Sequence, residues 1–138
     1  MVDQETLRRR LALLQDALAD LRRYRAKYDA TALRTDRDVQ HMVLHALYIA
    51  AQAAIDIALH ASADGEQTAS TTYQRAFEQL AANGRLDHEL ARRLMGWAGL
   101  RNVLAHQYAT LDYGRIANTL ANELPDLEQF AALVDGWL

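Results

Sequence analysis

Residues 7–21, LRRRLALLQDALADL, decide the fold class because their leucines recur at helical spacing. Spacings of four and three residues alternate between these leucines, which places their side chains on one stripe of a helix. The stripe consists of Leu7, Leu11, Leu14, Leu18 and Leu21. It spans only about two to three heptads, so it predicts packing inside a helical bundle rather than a free-standing coiled coil. We expect this first helix to run from about Asp3 to Tyr28.

The next part of the chain divides into helical segments separated by polar or glycine-containing breaks. Ala30–Thr35 is interpreted as a connection, and Thr35 followed by Asp38 is typical of a helix start. This second helix is predicted to end before the polar loop ASADGEQTAS, residues 61–70. A third helix follows and is predicted to end at Asn83 and Gly84.

The last third of the sequence predicts two more helical regions. Asp87 is expected to cap the fourth helix, and Pro125 marks a kink or a new start in the last region. Gly96 and Gly99 lie inside the fourth helix at a cost of roughly 1 kcal/mol each relative to alanine, so we expect a close backbone approach there, with a dimer contact as one candidate. No segment alternates like a strand. The sequence therefore predicts an all-α, antiparallel bundle of about five helices in a single domain, residues 1–138.

The second helix is apolar nearly all round, which predicts a central position in the fold. One stripe of it is polar, because five polar side chains follow one another at spacings of three or four residues. They are His41, His45, Tyr48, Gln52 and Asp56. His41 and His45 have the spacing of two metal ligands, but the glutamate of an HExxH motif is absent between them, so we predict no metal site.

Composition restricts the classes of function. The chain has no cysteine, which excludes disulfides, thiolate metal sites and a cysteine nucleophile. The first ten residues, MVDQETLRRR, lack the apolar core of a secretory signal, and the apolar stretch 42–59 is interrupted by polar residues, which argues against a membrane span. We therefore expect a soluble protein in the cytoplasm that does not contact a membrane.

Charge is distributed unevenly along the chain, whose net charge is -3. Residues 1–37 carry a balance of +3 and residues 85–101 a balance of +2, whereas the remaining segments are acidic. An RNA substrate could follow the basic segments, but solvated helix faces explain the arginines equally well. Charge alone therefore leaves both interpretations open.

The polar side of the fourth helix carries the candidate chemistry. At 100° per residue, Arg101 and His106 lie about 140° apart, with the small Ala105 between them. A guanidinium group holds phosphate through a fork of donors, and histidine passes protons near neutral pH, so the two together suit phosphodiester chemistry. Spacing alone also allows an exposed arginine and a histidine with an ordinary structural partner near a helix end.

The string GLRNVLAHQYATLD, residues 99–112, resembles the R-x4-H-x-Y signature of the HepT-like HEPN toxins. Arg101, His106 and Tyr108 occupy its three defined positions. Further resemblance lies in AAQAAIDIALH, in TTYQRAFEQLAANGRLDHELARRLMGWAG and in ELPDLEQF, so that it covers residues 36–132 approximately.

The resemblance implies a HEPN-type helical bundle that forms a homodimer, with two motif helices meeting in one RNA-cleaving groove. It implies a metal-independent endoribonuclease that needs no cofactor, in which Arg101 and His106 are catalytic. Asn102 is a candidate for orienting the imidazole or contacting a phosphate. Asp56 matches an IDIA-like segment of the family and is a candidate partner of Arg101 or of His106, with a plain buried ion pair as the alternative.

The resemblance also implies a partner, the nucleotidyltransferase antitoxin of a HEPN/MNT toxin–antitoxin pair, which neutralises the toxin by adenylylating the motif tyrosine, Tyr108. A higher hetero-oligomer with the antitoxin is compatible with this. If the fourth helix continues to Tyr108, this residue returns to within about 20° of Arg101 on the same face.

Two other classes of function fit part of the sequence. A non-catalytic HEPN module that binds and regulates a nucleotidyltransferase partner is the main alternative, and the presence of both Arg101 and His106 favours the enzyme over it. A simple helical dimerisation protein explains the apolar stripes but leaves RNVLAHQY as a coincidence.

Overall fold

The computed structural model of the chain describes residues 3–62, 72–106 and 108–138. The elements in these ranges are α1 (Gln4–Lys27), α2 (Ala30–Thr35), α3 (Arg37–Ser62), α4 (Tyr73–Ala82), α5 (His88–His106), a 3-10 helix (Tyr108–Thr110), α6 (Tyr113–Asn122) and α7 (Leu124–Gly136). No strand occurs in these ranges, and the predicted all-α fold class is confirmed. Most of the predicted polar loop at 61–70 lies outside the described residues.

Helix α1 begins and ends within one residue of its predicted bounds. The Asp3 carboxylate caps it and accepts a hydrogen bond from the Glu5 amide at 3.1 Å. The Thr6 hydroxyl donates to the same carboxylate at 2.6 Å, and this hydrogen bond holds the pKa of Asp3 below its ordinary value. All five leucines of the predicted stripe are buried, so the stripe is the face that α1 packs against α3.

The segment expected to be a connection, Ala30–Thr35, is the short helix α2. Asp29 caps it and accepts a backbone N–H of its first turn at 2.8 Å. Helix α3 is capped by Asp36, which accepts the Asp38 N–H at 2.9 Å. The prediction of Thr35 as the cap was therefore wrong, because Thr35 is the last residue of α2 and the next residue offers a carboxylate.

Helix α3 occupies the centre of the bundle and packs against α1, α4 and α5. Thirteen of its 26 residues are buried, and all of these are alanine, valine, leucine or isoleucine. By length and composition α3 could cross a membrane, but 61% of its most apolar window is buried inside this fold, as in a core helix. The predicted central position of this helix is confirmed.

Two turns place α5 beside α3 and α4. Helix α4 ends at the predicted Asn83 and Gly84, and Gly84 has φ +79°, a conformation that glycine adopts without strain. Asp87 then caps α5 as predicted, accepting the Leu90 N–H at 2.6 Å.

A polar clamp fixes α5 against α7. Asp126 lies in the first turn of α7, directly after Pro125, which marks a new helix start rather than a kink. Its carboxylate accepts from the Arg93 Nε at 2.9 Å and from the Trp97 Nε1 at 3.4 Å. The Arg93 Nη2 also donates to Gln129 at 3.1 Å. These contacts fix the middle of α5 against α7, and they thereby set the direction in which the C-terminal turns of α5 run.

The expected close backbone approach at the glycines of α5 is not made by the described part of this chain, and the dimer contact considered for them stays a prediction. A Cβ atom built at Gly96 or at Gly99 meets no atom of the described residues within 4 Å. The space beside α5 is therefore open at these positions. The described residues form seven α-helices rather than about five, because α2 was taken for a connection and because α6 and α7 are separate helices.

Candidate active site

The last two turns of α5 carry the residues singled out by the sequence. Arg101 is half-buried, whereas Asn102, Ala105 and His106 are exposed. His106 is the last residue of the helix. Five helical residues advance the chain by about 7.5 Å along the axis, so Arg101 and His106 flank a stretch of surface that includes Asn102 and the small Ala105.

The guanidinium group of Arg101 is held by α3 and α4. Its Nε donates to the Gln52 Oε1 at 2.6 Å, and its Nη1 donates to the Asn102 Oδ1 at 3.2 Å. Its central carbon lies 5.6 Å from the ring centre of Tyr48 and 5.2 Å from that of Tyr73, both within the range of cation–π attraction. Two of the five N–H groups of Arg101 are thus engaged, and the other three have no hydrogen-bond partner among the described residues.

Asp56 does not contact Arg101 directly. Its Oδ1 accepts from the Gln52 Nε2 at 2.9 Å, and its Oδ2 lies 3.8 Å from the Nη1 of Arg10 on α1. The ion pair is partly solvated, with side chains 45% and 30% exposed for Arg10 and Asp56. Of the roles considered for Asp56, direct pairing with Arg101 is therefore wrong, because an amide stands between the two charges.

A groove of about 380 Å³ opens between α3 and α5 beside the motif. It is lined by His41, Leu44, His45, Tyr48, Leu104 and Ala105. The predicted polar stripe of α3 thus borders the groove with its first three members and reaches Arg101 with its fourth. In the described parts of the chain, no three His, Cys, Asp or Glu side chains come together as a metal site.

Helix α5 does not continue to Tyr108. It ends at His106, and Tyr108 begins a separate 3-10 helix, Tyr108–Thr110. The projection that returned Tyr108 to the face of Arg101 assumed an unbroken helix and therefore does not apply.

The ring of Tyr73 is a contact of Arg101 that sequence reasoning missed. Tyr73 lies at the start of α4, and its side chain is half-buried beside the guanidinium group. Tyr48 and Gln52 could be found in the sequence as members of the polar stripe, but only the fold brings them to Arg101, which lies 49 positions after Gln52.

Comparison with known proteins gives consistent matches. A family model described as ribonuclease HepT-like matches residues 14–134. The mRNA nuclease HepT of Shewanella oneidensis is 27% identical over 106 residues, which cover 77% of this chain and 80% of that protein.

Solved structures match the fold over nearly the whole chain. The tri-AMPylated Shewanella oneidensis HEPN toxin in complex with MNT antitoxin has a TM-score of 0.85 at 22% identity, covering 97% of this chain and 99% of that one. The cytosolic protein YutE of Bacillus subtilis, of unknown function, has a TM-score of 0.81 at 16% identity, covering 99% and 91%. The HEPN-type bundle expected from the sequence is confirmed by these similarities.

Proposed function

Because this chain belongs to the HepT-like ribonuclease family, we propose that it is a metal-independent endoribonuclease and the toxin of a HEPN/MNT toxin–antitoxin pair. In this proposal residues 1–138 act as one HEPN domain in the cytoplasm. Arg101 and His106 are its catalytic residues.

One observation carries the proposal. A half-buried arginine, three of whose N–H groups form no hydrogen bond to a described residue, lies on the same helix end as an exposed histidine, with Ala105 and Asn102 between them on the helix surface. The guanidinium group is a fork of donors suited to phosphate, and the imidazole is accessible to solvent for proton exchange. A phosphodiester bridging Arg101 and His106 would lie over Ala105.

The reaction that suits this pair is internal attack by the RNA. The 2′-oxygen forms a bond to phosphorus while the bond from phosphorus to the 5′-oxygen breaks. The 2′-hydroxyl loses a proton and the departing 5′-oxygen gains one, which leaves a 2′,3′-cyclic phosphate and a 5′-hydroxyl. His106 serves as general acid or base in these transfers, a role typically worth about 10² to 10⁴-fold in rate. Arg101 stabilises the charge that accumulates on the phosphorane oxygens.

The neighbouring side chains have supporting roles in this proposal. Asn102 accepts from Arg101 and is exposed, so it limits the positions that the guanidinium adopts and can itself contact a phosphate. The groove between α3 and α5 adjoins Ala105 and offers the apolar floor of Leu44 and Leu104 to the nucleotide next to the bound phosphate. His45 and Tyr48 also line the groove, and rings of this kind can stack with bases.

Assembly and control belong to the same proposal. Two chains form a homodimer whose motif helices face each other across a shared groove. The partner is a nucleotidyltransferase of the MNT type, in a complex of two or more chains. It inactivates the toxin by adenylylation of Tyr108, which brings negative phosphates near Arg101 and His106 and competes for the donors that bind RNA.

The deciding experiment is RNA cleavage by purified wild type and by His106→Ala. We expect the variant to keep the helical circular dichroism of the wild type and to lose cleavage. His88→Ala is the matched control, since His88 is an exposed histidine at the opposite end of the same helix. Full cleavage by folded His106→Ala contradicts the catalytic role. A wild type that binds its antitoxin but cuts no RNA favours the non-catalytic HEPN module.

A further inference from the structure

A chain of polar side chains crosses from α1 through α3 to Arg101 on α5. It runs from Arg10 to Asp56 (3.8 Å), to Gln52 (2.9 Å) and to Arg101 (2.6 Å). We propose that Gln52 is a positioning residue that holds Arg101 ready for an RNA phosphate without neutralising its charge, and that Asp56 orients Gln52. This inference rests on the proposed function of Arg101.

The orientation of the Gln52 amide is fixed from both sides. An ionised carboxylate only accepts hydrogen bonds, so Asp56 faces the amide nitrogen of Gln52. The Nε of arginine only donates, so Arg101 faces the amide oxygen. All three residues are half-buried. Rotating the amide by 180° would bring two donors together at Arg101 and two acceptors together at Asp56, so a single arrangement satisfies both neighbours.

The neutrality of Gln52 matters because of what a carboxylate would do in its place. Opposite charges about 4 Å apart attract strongly at a partly buried site, and a carboxylate bound to a guanidinium group occupies donors that phosphate needs. The amide oxygen binds the Nε alone and adds no charge. In this row of hydrogen-bonded side chains the negative charge lies on Asp56, one residue further from Arg101 than Gln52, and Arg10 pairs with it. Arg101 therefore keeps its full charge for a ligand.

The support for Arg101 is also rigid. Tyr48, Gln52 and Asp56 follow one another at spacings of four residues on α3, the central helix of the bundle. Tyr48 approaches the guanidinium group with its ring and Gln52 with its amide oxygen. A charged group held in place before substrate arrives loses little freedom on binding, which favours the transition state.

The test moves the negative charge by one side chain. The double variant Gln52→Glu/Asp56→Asn keeps the net charge and the hydrogen-bonding chain but places the carboxylate on Arg101. We expect kcat/KM for RNA cleavage to fall about 100-fold, against about threefold for Asp56→Asn alone. Gln129→Glu is the control and leaves cleavage unchanged, because it puts a carboxylate beside Arg93 in the α5–α7 clamp instead.

Binding gives a second readout. A single-stranded 2′-O-methyl oligonucleotide cannot be cleaved, because its 2′-oxygen is blocked. The double variant is expected to bind it more weakly, with a salt dependence reduced by about 0.7 in the log–log slope, the contribution of one phosphate contact. A role in packing alone predicts unchanged binding, since glutamate keeps the shape of Gln52 and its bond to Arg101. Cleavage and binding within threefold of Asp56→Asn would overturn the proposal.

A third readout needs no RNA. In ¹⁵N-labelled, ligand-free protein, the Nε–H of Arg101 should give a slowly exchanging NMR signal, and the Gln52→Leu variant should lack this signal. We also expect this variant to cleave RNA about tenfold more slowly than the wild type. This variant also decides the matter if the double variant does not fold, and an Nε–H signal unaffected by Gln52→Leu contradicts the proposal. A wild type that binds the 2′-O-methyl oligonucleotide but does not cleave RNA contradicts the proposed function. In that case the dissociation constants of the wild type and the variants for this oligonucleotide still test the role of Gln52.

Discussion

Replacing Arg101 with lysine should separate the chemical role of its guanidinium group from its contribution to stability. Lysine keeps the positive charge but lacks the Nε–H that donates to Gln52 and the planar fork that binds phosphate through two N–H groups. Loss of one preorganised donor to a developing negative charge commonly lowers kcat by about 10² to 10³-fold, or roughly 2.7–4 kcal/mol. We therefore expect Arg101→Lys to cleave RNA at least about 100-fold more slowly.

The cost to the fold should be smaller. A lysine ammonium still offers donors to Asn102, so the variant loses one hydrogen bond, that to Gln52, worth roughly 0.5–1.5 kcal/mol. It also loses part of two cation–π contacts with Tyr48 and Tyr73, worth about 0.5–1 kcal/mol each. The free energy of unfolding should thus fall by about 1–2 kcal/mol. Native domains are stable by about 5–15 kcal/mol, so more than about 99% of the variant stays folded. Unfolding therefore cannot explain a 100-fold loss of rate.

The assay combines initial cleavage rates on an RNA oligonucleotide with urea unfolding of the same preparations. Arg92→Lys is the control, because Arg92 lies on the same helix, is largely exposed and pairs with Glu89. Two results would refute the reasoning. One is an Arg101→Lys variant that cleaves within about threefold of the wild type. The other is a loss of rate that matches the loss of folded protein.

Three further predictions follow from the proposed function. Cleavage should persist in excess EDTA and leave 2′,3′-cyclic phosphate ends, since only side chains act as acid and base; a strict magnesium requirement contradicts this. Light scattering at micromolar concentration should give the mass of two chains, and a fully active monomer argues against a shared groove. Co-expression with the cognate nucleotidyltransferase should add adenylate mass to the wild type and not to Tyr108→Phe; unmodified wild type, or equal modification of both, rules out this switch.

Long-range periodic patterns in the sequence predicted the main helices well. The leucine stripe of α1 and the apolar composition of α3 both describe faces that the structure buries. Helix α2 could not be found in this way, because in six residues it buries a single side chain, Leu33, and so leaves no repeat to detect. The cap of α3 was misplaced by one residue because Thr35 and Asp36 are both good capping residues and only the end of α2 decides between them.

The candidate site was predicted residue by residue but not as an arrangement. The motif located Arg101 and His106 on one helix, and the polar stripe located Gln52 and Asp56 on another. The order in which these side chains meet depends on the packing of α3 against α5, which no local pattern encodes. Geometry on a single helix also failed at Tyr108, where the chain leaves α5 for a 3-10 helix.

The two walls of the groove differ in how readily their backbone opens. Helix α3 is enclosed by other helices, so its amide protons should exchange with solvent only when the whole bundle opens. The opposite wall is the last turn of α5, whose residues Ala105 and His106 are exposed and lie at a helix end, where local opening costs least. Of the two walls, fast exchange of amide protons is therefore expected only in the last turn of α5, which carries His106.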